Sequence, residues 1–138
     1  MATEYAKALP PITTLTTSPF WEGTKQHILK AYKCQNCGNY YWPAIDCMKC
    51  DHPTMEWVEV TGQGEIYSFI IMHHIYHPAW KDEVPYNICW IELDEGPLLI
   101  SNVIGCENSD LYIGMRVEAV FDEVTQEVTL PRFKPATV

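Results

Sequence analysis

Cys34, Cys37, Cys47 and Cys50 form the pattern C-x2-C-x9-C-x2-C within seventeen residues. Each C-x-x-C can fold as a knuckle whose two thiolates point at one centre. The nine-residue excursion is long enough to bring two knuckles together around one tetrahedral ion. Gly38 directly follows the first pair, where a knuckle often needs a residue tolerant of positive φ. Zinc suits four thiolates at about 2.3 Å and brings no redox chemistry. Iron in a rubredoxin-type Fe(Cys)4 centre has the same tetrahedral S4 geometry. Two disulfides are the third alternative, which a reducing cytosol disfavours. Four protein ligands leave no open coordination position, so the expected metal is a structural staple and not a catalyst.

The other chemistry-bearing residues point less sharply. Cys89 sits in the strand-like run Tyr86-Asn87-Ile88-Cys89-Trp90-Ile91 and reads as a small buried hydrophobe. Cys106 follows Gly105 in an expected turn, with no general base close in sequence to activate it. His73, His74 and His77 invite a second metal site. Neighbours on a strand point to opposite faces, however, and no carboxylate stands at a spacing that completes the set. Tyr40-Tyr41-Trp42-Pro43 lies between the two knuckles, either packing over the metal cluster or offering rings for a base to stack on. Only Lys49 is basic between Cys34 and Cys50, a poor surface for phosphate. The chain holds no P-loop, no G-x-G-x-x-G and no Ser-His-Asp arrangement.

The elements that position these residues follow from periodicity and turn signals. Residues 1–16 are rich in Pro and Thr without apolar periodicity and read as an extended arm. Ser18-Pro19 reads as an N-cap with proline at the first helical position. Trp21, Thr24, Ile28 and Ala31 then follow at helical spacing, widened by Phe20 and Leu29, which predicts one helix over about 18–31. From Trp57 the pattern turns to strands: 57–60, a long strand 65–72, then 87–93, 98–104, 115–121 and 127–130. Asp94-Glu95-Gly96-Pro97, Gly105 and Gly114 mark turns. The expected class is mainly β: a five-stranded barrel of the OB type, preceded by an N-terminal helix and a small zinc ribbon. The expected division is arm and helix over 1–30, ribbon over 31–60 and barrel over 61–138. On the long strand both alternating sets are apolar: Ile66, Ile70 and Met72 on one side, Tyr67, Phe69 and Ile71 on the other. One set fills the barrel, so helix, ribbon or another protein must cover the other. The loop 74–86 is long and aromatic, the kind that carries function.

Composition sets the outer limits. Of 138 residues, 47% are hydrophobic and 20% charged, which suits a globular domain with a core. Nine Lys and Arg against eighteen Asp and Glu leave a net charge of −9. That balance opposes non-specific binding to nucleic acid and docking on anionic membranes. No apolar run reaches the ~20 residues of a membrane span. No secretory h-region stands at the N-terminus, so a cytoplasmic protein is expected.

Taken in order, Ser-Pro-Phe-Trp-Glu, C-x2-C-G, an aromatic-Pro stretch, a second C-x2-C and Trp57-Val58-Glu59-Val60-Thr61-Gly62-Gln63-Gly64 make the first half of a pattern. Ile91-Glu92-Leu93-Asp94-Glu95-Gly96-Pro97, Ile113-Gly114-Met115-Arg116-Val117 and Leu130-Pro131-Arg132-Phe133 make the second. Over residues 18–135 this resembles the acyl-CoA-associated OB-fold/zinc-ribbon family. The resemblance implies a rubredoxin-like zinc ribbon on an OB barrel, with Cys34, Cys37, Cys47 and Cys50 as zinc ligands. It also implies a hetero-oligomer with a thiolase-like subunit that holds the catalytic residues for carbon–carbon cleavage or acyl transfer, in an aryl-acyl-CoA thiolase or a side-chain aldolase. The small chain would supply interface and part of a channel for the coenzyme A thioester. Nothing catalytic is carried onto this chain. Phe20 and Trp21, an aromatic pair at the start of a short helix, read as core, with a partner-facing anchor as the rival reading; together with Trp42 they are the interface candidates. The competing expectation is a nucleic-acid-binding OB/zinc-ribbon module, which the charge opposes. An iron-bearing electron carrier is a third.

Overall fold

The computed structural model describes residues 6–42 and 45–136. The first five residues of the expected arm, and Pro43 of the aromatic stretch, lie outside them. Helix α1 spans Ser18–Lys25, with Thr17 as N-cap and Pro19 in the first turn. It is shorter than the predicted 18–31. His27 takes a φ of 61°, and the amides of Gln26 and Ile28 both bond to the Gly23 carbonyl at 2.9 Å, which turns the chain back. Gly23 sits close under the returning chain, where a Cβ would stand 3.0 Å from the Ile28 carbonyl oxygen. Leu29 and Ala31 are buried all the same, at the entrance to a strand and not on a helix face. Two apart, they share one face of a strand, whereas on a helix they would lie about 200° apart, and sheet pairing settles the strand.

That strand, β1 (Lys30–Cys34), pairs antiparallel with β2 (Tyr40–Tyr41) and β3 (Met55–Glu59) in the order β2-β1-β3. The second sheet holds β4 (Gln63–Met72), β5 (Tyr86–Leu93), β6 (Leu98–Ser101), β7 (Arg116–Glu123) and β8 (Thr129–Pro135), in the order β6-β5-β4-β7-β8. A parallel bridge between Val103 and Phe133 joins its two ends. Phe133 N–H donates to the Asn102 carbonyl at 2.9 Å and Ile104 N–H to the Phe133 carbonyl at 2.8 Å. The curled sheet is thereby the expected five-stranded OB-type barrel. Its last strand runs later than the predicted 127–130. Pro131 and Pro135 break the strand signal, but β8 ends the ladder order, where a residue without an N–H is tolerated.

The faces of β4 differ from strict alternation. Ile66 pairs with Ile91 but Ser68 pairs with Trp90, so Tyr67 is the extra residue of a β-bulge. Beyond it the parity reverses. Phe69 and Ile71 join Ile66 on the core side, whereas Ile70 is turned outward. Phe20, Leu29, Ala31 and Val60 belong to the same buried cluster as Ile66, Ile91, Val117 and Phe133. Helix, ribbon base and barrel therefore share one core. α1 packs on β1 and β8, and at its end the His27 ring stacks on Phe121 and bonds to Glu123 at 2.9 Å. Glu95, in the β5–β6 turn, accepts from the Thr61 N–H at 2.9 Å, which ties the hairpin to the ribbon–barrel junction. No helix among the described residues is long and apolar enough to cross a membrane.

Two substitutions test this architecture. A Cβ at Gly64 would lie 2.5 Å from the Glu92 carbonyl oxygen, a backbone atom that cannot swing away. Gly64→Ala should therefore lower stability in urea by about 2–3 kcal/mol. Asp94 holds Arg116 through both carboxylate oxygens at 2.9 Å, and this hydrogen-bonded guanidinium keeps the Asp94 carboxyl below its ordinary value. Both side chains are about half exposed, so Asp94→Asn should cost under about 1 kcal/mol at neutral pH. A depressed carboxylate stabilises above its unfolded pKa and stops doing so as pH falls through the folded one. Wild type and variant should thus converge in acid below the ordinary aspartate range.

Candidate metal centre and its surroundings

β1 delivers Cys34 at its C-terminal end, and the chain then turns through the first knuckle. Gly38 N–H donates to the Cys34 carbonyl at 2.8 Å, Cys34 N–H to the Asn39 carbonyl at 2.8 Å, and Gly38 has the expected positive φ of 82°. Gln35 N–H bonds to the Thr54 carbonyl at 2.8 Å, which holds the knuckle beside the approach to β3. The four sulfurs of Cys34, Cys37, Cys47 and Cys50 all lie within 4.8 Å of one another. Cys34 and Cys50 are 3.8 Å apart, Cys37 and Cys47 3.5 Å. A tetrahedron with bonds of about 2.3 Å has edges of about 3.8 Å, so these separations fit four ligands on one zinc ion. All six cysteines are free. A zinc ion here would tie the two knuckles together and, its coordination filled, would supply no catalysis.

Two side chains complete the site. The Tyr41 hydroxyl donates to Cys47 Sγ at 3.2 Å, and the Asn36 amide to Cys50 Sγ at 3.5 Å. The Tyr41 bond brings the Cys47 thiol down to about 6, and the same contact pushes the Tyr41 hydroxyl up. Cysteine spacing carries no signal of either residue. Tyr41 was visible only as one of three consecutive aromatics.

The interface expectation divides. Phe20 is only 1% exposed, so its ring cannot meet a partner. It is the centre of an aromatic stack, with Trp21 edge-on at 4.9 Å, Trp42 at 4.2 Å and Trp57 at 6.1 Å. Trp21 and Trp42 stay partly exposed. Trp42 thus packs toward the shared core, and with it the metal loop. The second apolar face expected on the long strand is the outer face of β4, which continues onto β5 and β6. Tyr67 (55% exposed), Ile70 (54%), Trp90 (43%) and Ile100 (53%) are uncovered there, with Trp90 directly opposite Ile100. Neither helix nor ribbon covers them.

The remaining candidates have structural roles. His77 Nδ1 accepts from the Ala79 N–H at 3.1 Å and caps the short turn Pro78–Trp80. His74 meets Tyr76 edge-on at 4.4 Å. Among the described residues only the four cysteines gather as a metal-ligand set. Cys89 is buried, which pushes its thiol up to about 11, and donates to Asn87 Oδ1 at 3.3 Å. Burial raises the Cys106 thiol too. The loop 74–86 borders an open cleft of about 600 Å³ with Trp80, Tyr86, Asn102 and Arg132 on its walls. Its cations are engaged: Lys7 of the arm meets Glu83 at 2.9 Å, and Arg132 meets Asp122 at 2.7 Å and Asn102 at 2.8 Å. For the sulfur site the expectation is direct. Cys34→Ser or Cys50→Ser should abolish zinc binding and ribbon structure together, because binding is folding free energy in so small a unit. Metal content and amide exchange over residues 30–59 measure both.

Comparison with known proteins agrees with this geometry. Residues 21–56 match the family model "ChsH2, rubredoxin-like zinc ribbon domain", and residues 57–122 match "ChsH2, C-terminal OB-fold domain". A "Probable enoyl-CoA hydratase alpha subunit" of Thermomonospora curvata is 38% identical over 94% of this chain, which spans only 41% of that relative. A "DUF35 domain-containing scaffold protein" of Methanocaldococcus jannaschii is 34% identical over 78% of this chain and 77% of its own length. A chain of the solved "Ltp2-ChsH2(DUF35) aldolase" superposes with a TM-score of 0.79 at 34% identity, covering 93% of this chain and 100% of that one. With a four-cysteine ribbon and an OB barrel in this order, the chain belongs to the ChsH2 (DUF35) family of zinc-ribbon/OB-fold proteins.

Proposed function

We propose that this chain is a zinc-containing auxiliary subunit of a thiolase-like acyl-CoA enzyme, in which a thiolase-fold partner holds the catalytic residues. The observation that carries this reading is the whole-length likeness to a chain of the Ltp2-ChsH2(DUF35) aldolase. The reaction class we assign is cleavage of a carbon–carbon bond in an acyl-CoA, or the related acyl transfer; the aldolase of that title supports the carbon–carbon step. The names of the curated relatives, a CoA hydratase alpha subunit and a scaffold protein, fit an accessory role.

The surface supports it physically. Tyr67, Ile70, Trp90 and Ile100 form an apolar, aromatic-bearing stretch of the outer sheet face, bordered by the paired Glu65 and Glu92, the layout of an interface centre with a polar rim. Trp21 and Trp42, partly exposed beside the ribbon, are the second contact we assign to the partner. The zinc site would hold the ribbon rigid on the barrel so that both surfaces keep a fixed relation. A coenzyme A thioester would bind to the assembled complex.

The test is mild affinity purification of this chain from its native cells, with mass spectrometry of what co-purifies. A thiolase-fold protein in stoichiometric amount is expected. Recovery of the chain alone, or with nucleic acid, overturns the reading. Trp90→Ala leaves the core intact and should weaken capture of the partner at least tenfold, since buried aromatic anchors dominate interface energies.

A further inference from the structure

We propose that Cys37 is the reactive ligand of the zinc site, the sulfur that a soft electrophile or a hydroperoxide modifies ahead of the other three. The four ligands are chemically unequal. Cys34 is fully buried and Cys47 nearly so, Cys50 is half-buried, and Cys37 is exposed. Cys47 accepts the Tyr41 hydroxyl and Cys50 the Asn36 amide. Cys37 Sγ lies 3.5 Å from Cys47 Sγ. A hydrogen bond withdraws electron density from a thiolate, and burial keeps reagents away from it. Of the four ligands, Cys37 is the one that burial leaves open.

The neighbouring Cys47 makes a second step possible. With a hydroperoxide, the Cys37 thiolate attacks the terminal oxygen, the O–O bond breaks, and an alkoxide or hydroxide leaves. Sulfur is oxidised by two electrons to a sulfenic acid, and the peroxide is reduced by the same two. The Cys47 thiolate then displaces hydroxide from Cys37 sulfur and closes a disulfide. The separation shrinks from 3.5 Å to about 2.05 Å, a movement that two loop residues can make. Cys34 and Cys50 alone make an incomplete zinc site, so the ion is released. With N-ethylmaleimide the Cys37 sulfur adds to the double bond and water supplies the proton. This assignment stands on the sulfur site alone and does not depend on the identity of the partner.

The zinc-loaded full chain is treated with substoichiometric N-ethylmaleimide, and labelled peptides are quantified over time. Labelling of Cys37 should run at least tenfold ahead of Cys34, Cys47 and Cys50. A parallel reaction with hydrogen peroxide should yield the Cys37–Cys47 disulfide and one zinc ion per disulfide, read with a chromogenic chelator. Tyr41→Phe should speed labelling of Cys47 and leave that of Cys37 unchanged, a split that general loosening of the ribbon would not produce. Equal labelling of the four cysteines, first labelling at another ligand, or a first disulfide between Cys34 and Cys50 overturns the proposal.

Discussion

Residues 34–50 have no core of their own, and their fold depends on four sulfurs held at tetrahedral spacing. Turns that short bury too little apolar surface to offset their ordering entropy. The cross-link between two knuckles supplies what packing cannot. Once Cys34 is fixed at the end of β1 and Cys47 beneath the Tyr41 hydroxyl, β2 is pinned against β1. Trp42 then emerges where it can lie on Phe20. The ribbon thereby contributes to the barrel core from outside, through an aromatic stack that also holds α1.

This arrangement explains why helix, ribbon and barrel behave as one body. Phe20 is central to all three: it leaves the first turn of α1, meets Trp42 of the ribbon and Trp57 of β3, and belongs to the same cluster as Phe133 of β8. Glu95 adds a polar tie from the β5–β6 turn to Thr61. With the inner apolar surface used up in this way, the outer face of β4–β6 is an apolar sheet surface that remains exposed. It is also the part that a second protein would cover.

How far this could be read from sequence depended on what each residue's signal was tied to. The cysteine spacing was legible because coordination geometry has few solutions, and the turns at Gly38 and Gly96 because positive φ selects glycine. The barrel was legible from strand number and turn spacing. Three features were hidden for physical reasons. Ala31 follows Ile28 at helical spacing and Leu29 at strand spacing, and the reversal at His27 is a backbone event on a residue type with no strong turn signal. The bulge at Tyr67 reverses strand parity through pairing with β5, which no local pattern records. Tyr41 serves Cys47 through a hydroxyl contact that only the folded loop creates. Phe20 was read as core with a partner anchor as the rival, and its burial agrees with the first reading, because an aromatic residue at the start of a short helix fits either until packing is known.

The account divides labour: a metal-stapled chain shapes and docks, and a thiolase-fold partner carries out the chemistry. The most direct measurement is acyl-CoA turnover by the zinc-loaded chain alone, by the partner alone and by the reconstituted pair. The account predicts no turnover by the chain alone and the highest turnover by the pair. Turnover by this chain without a partner, or a partner indifferent to its addition, would contradict it.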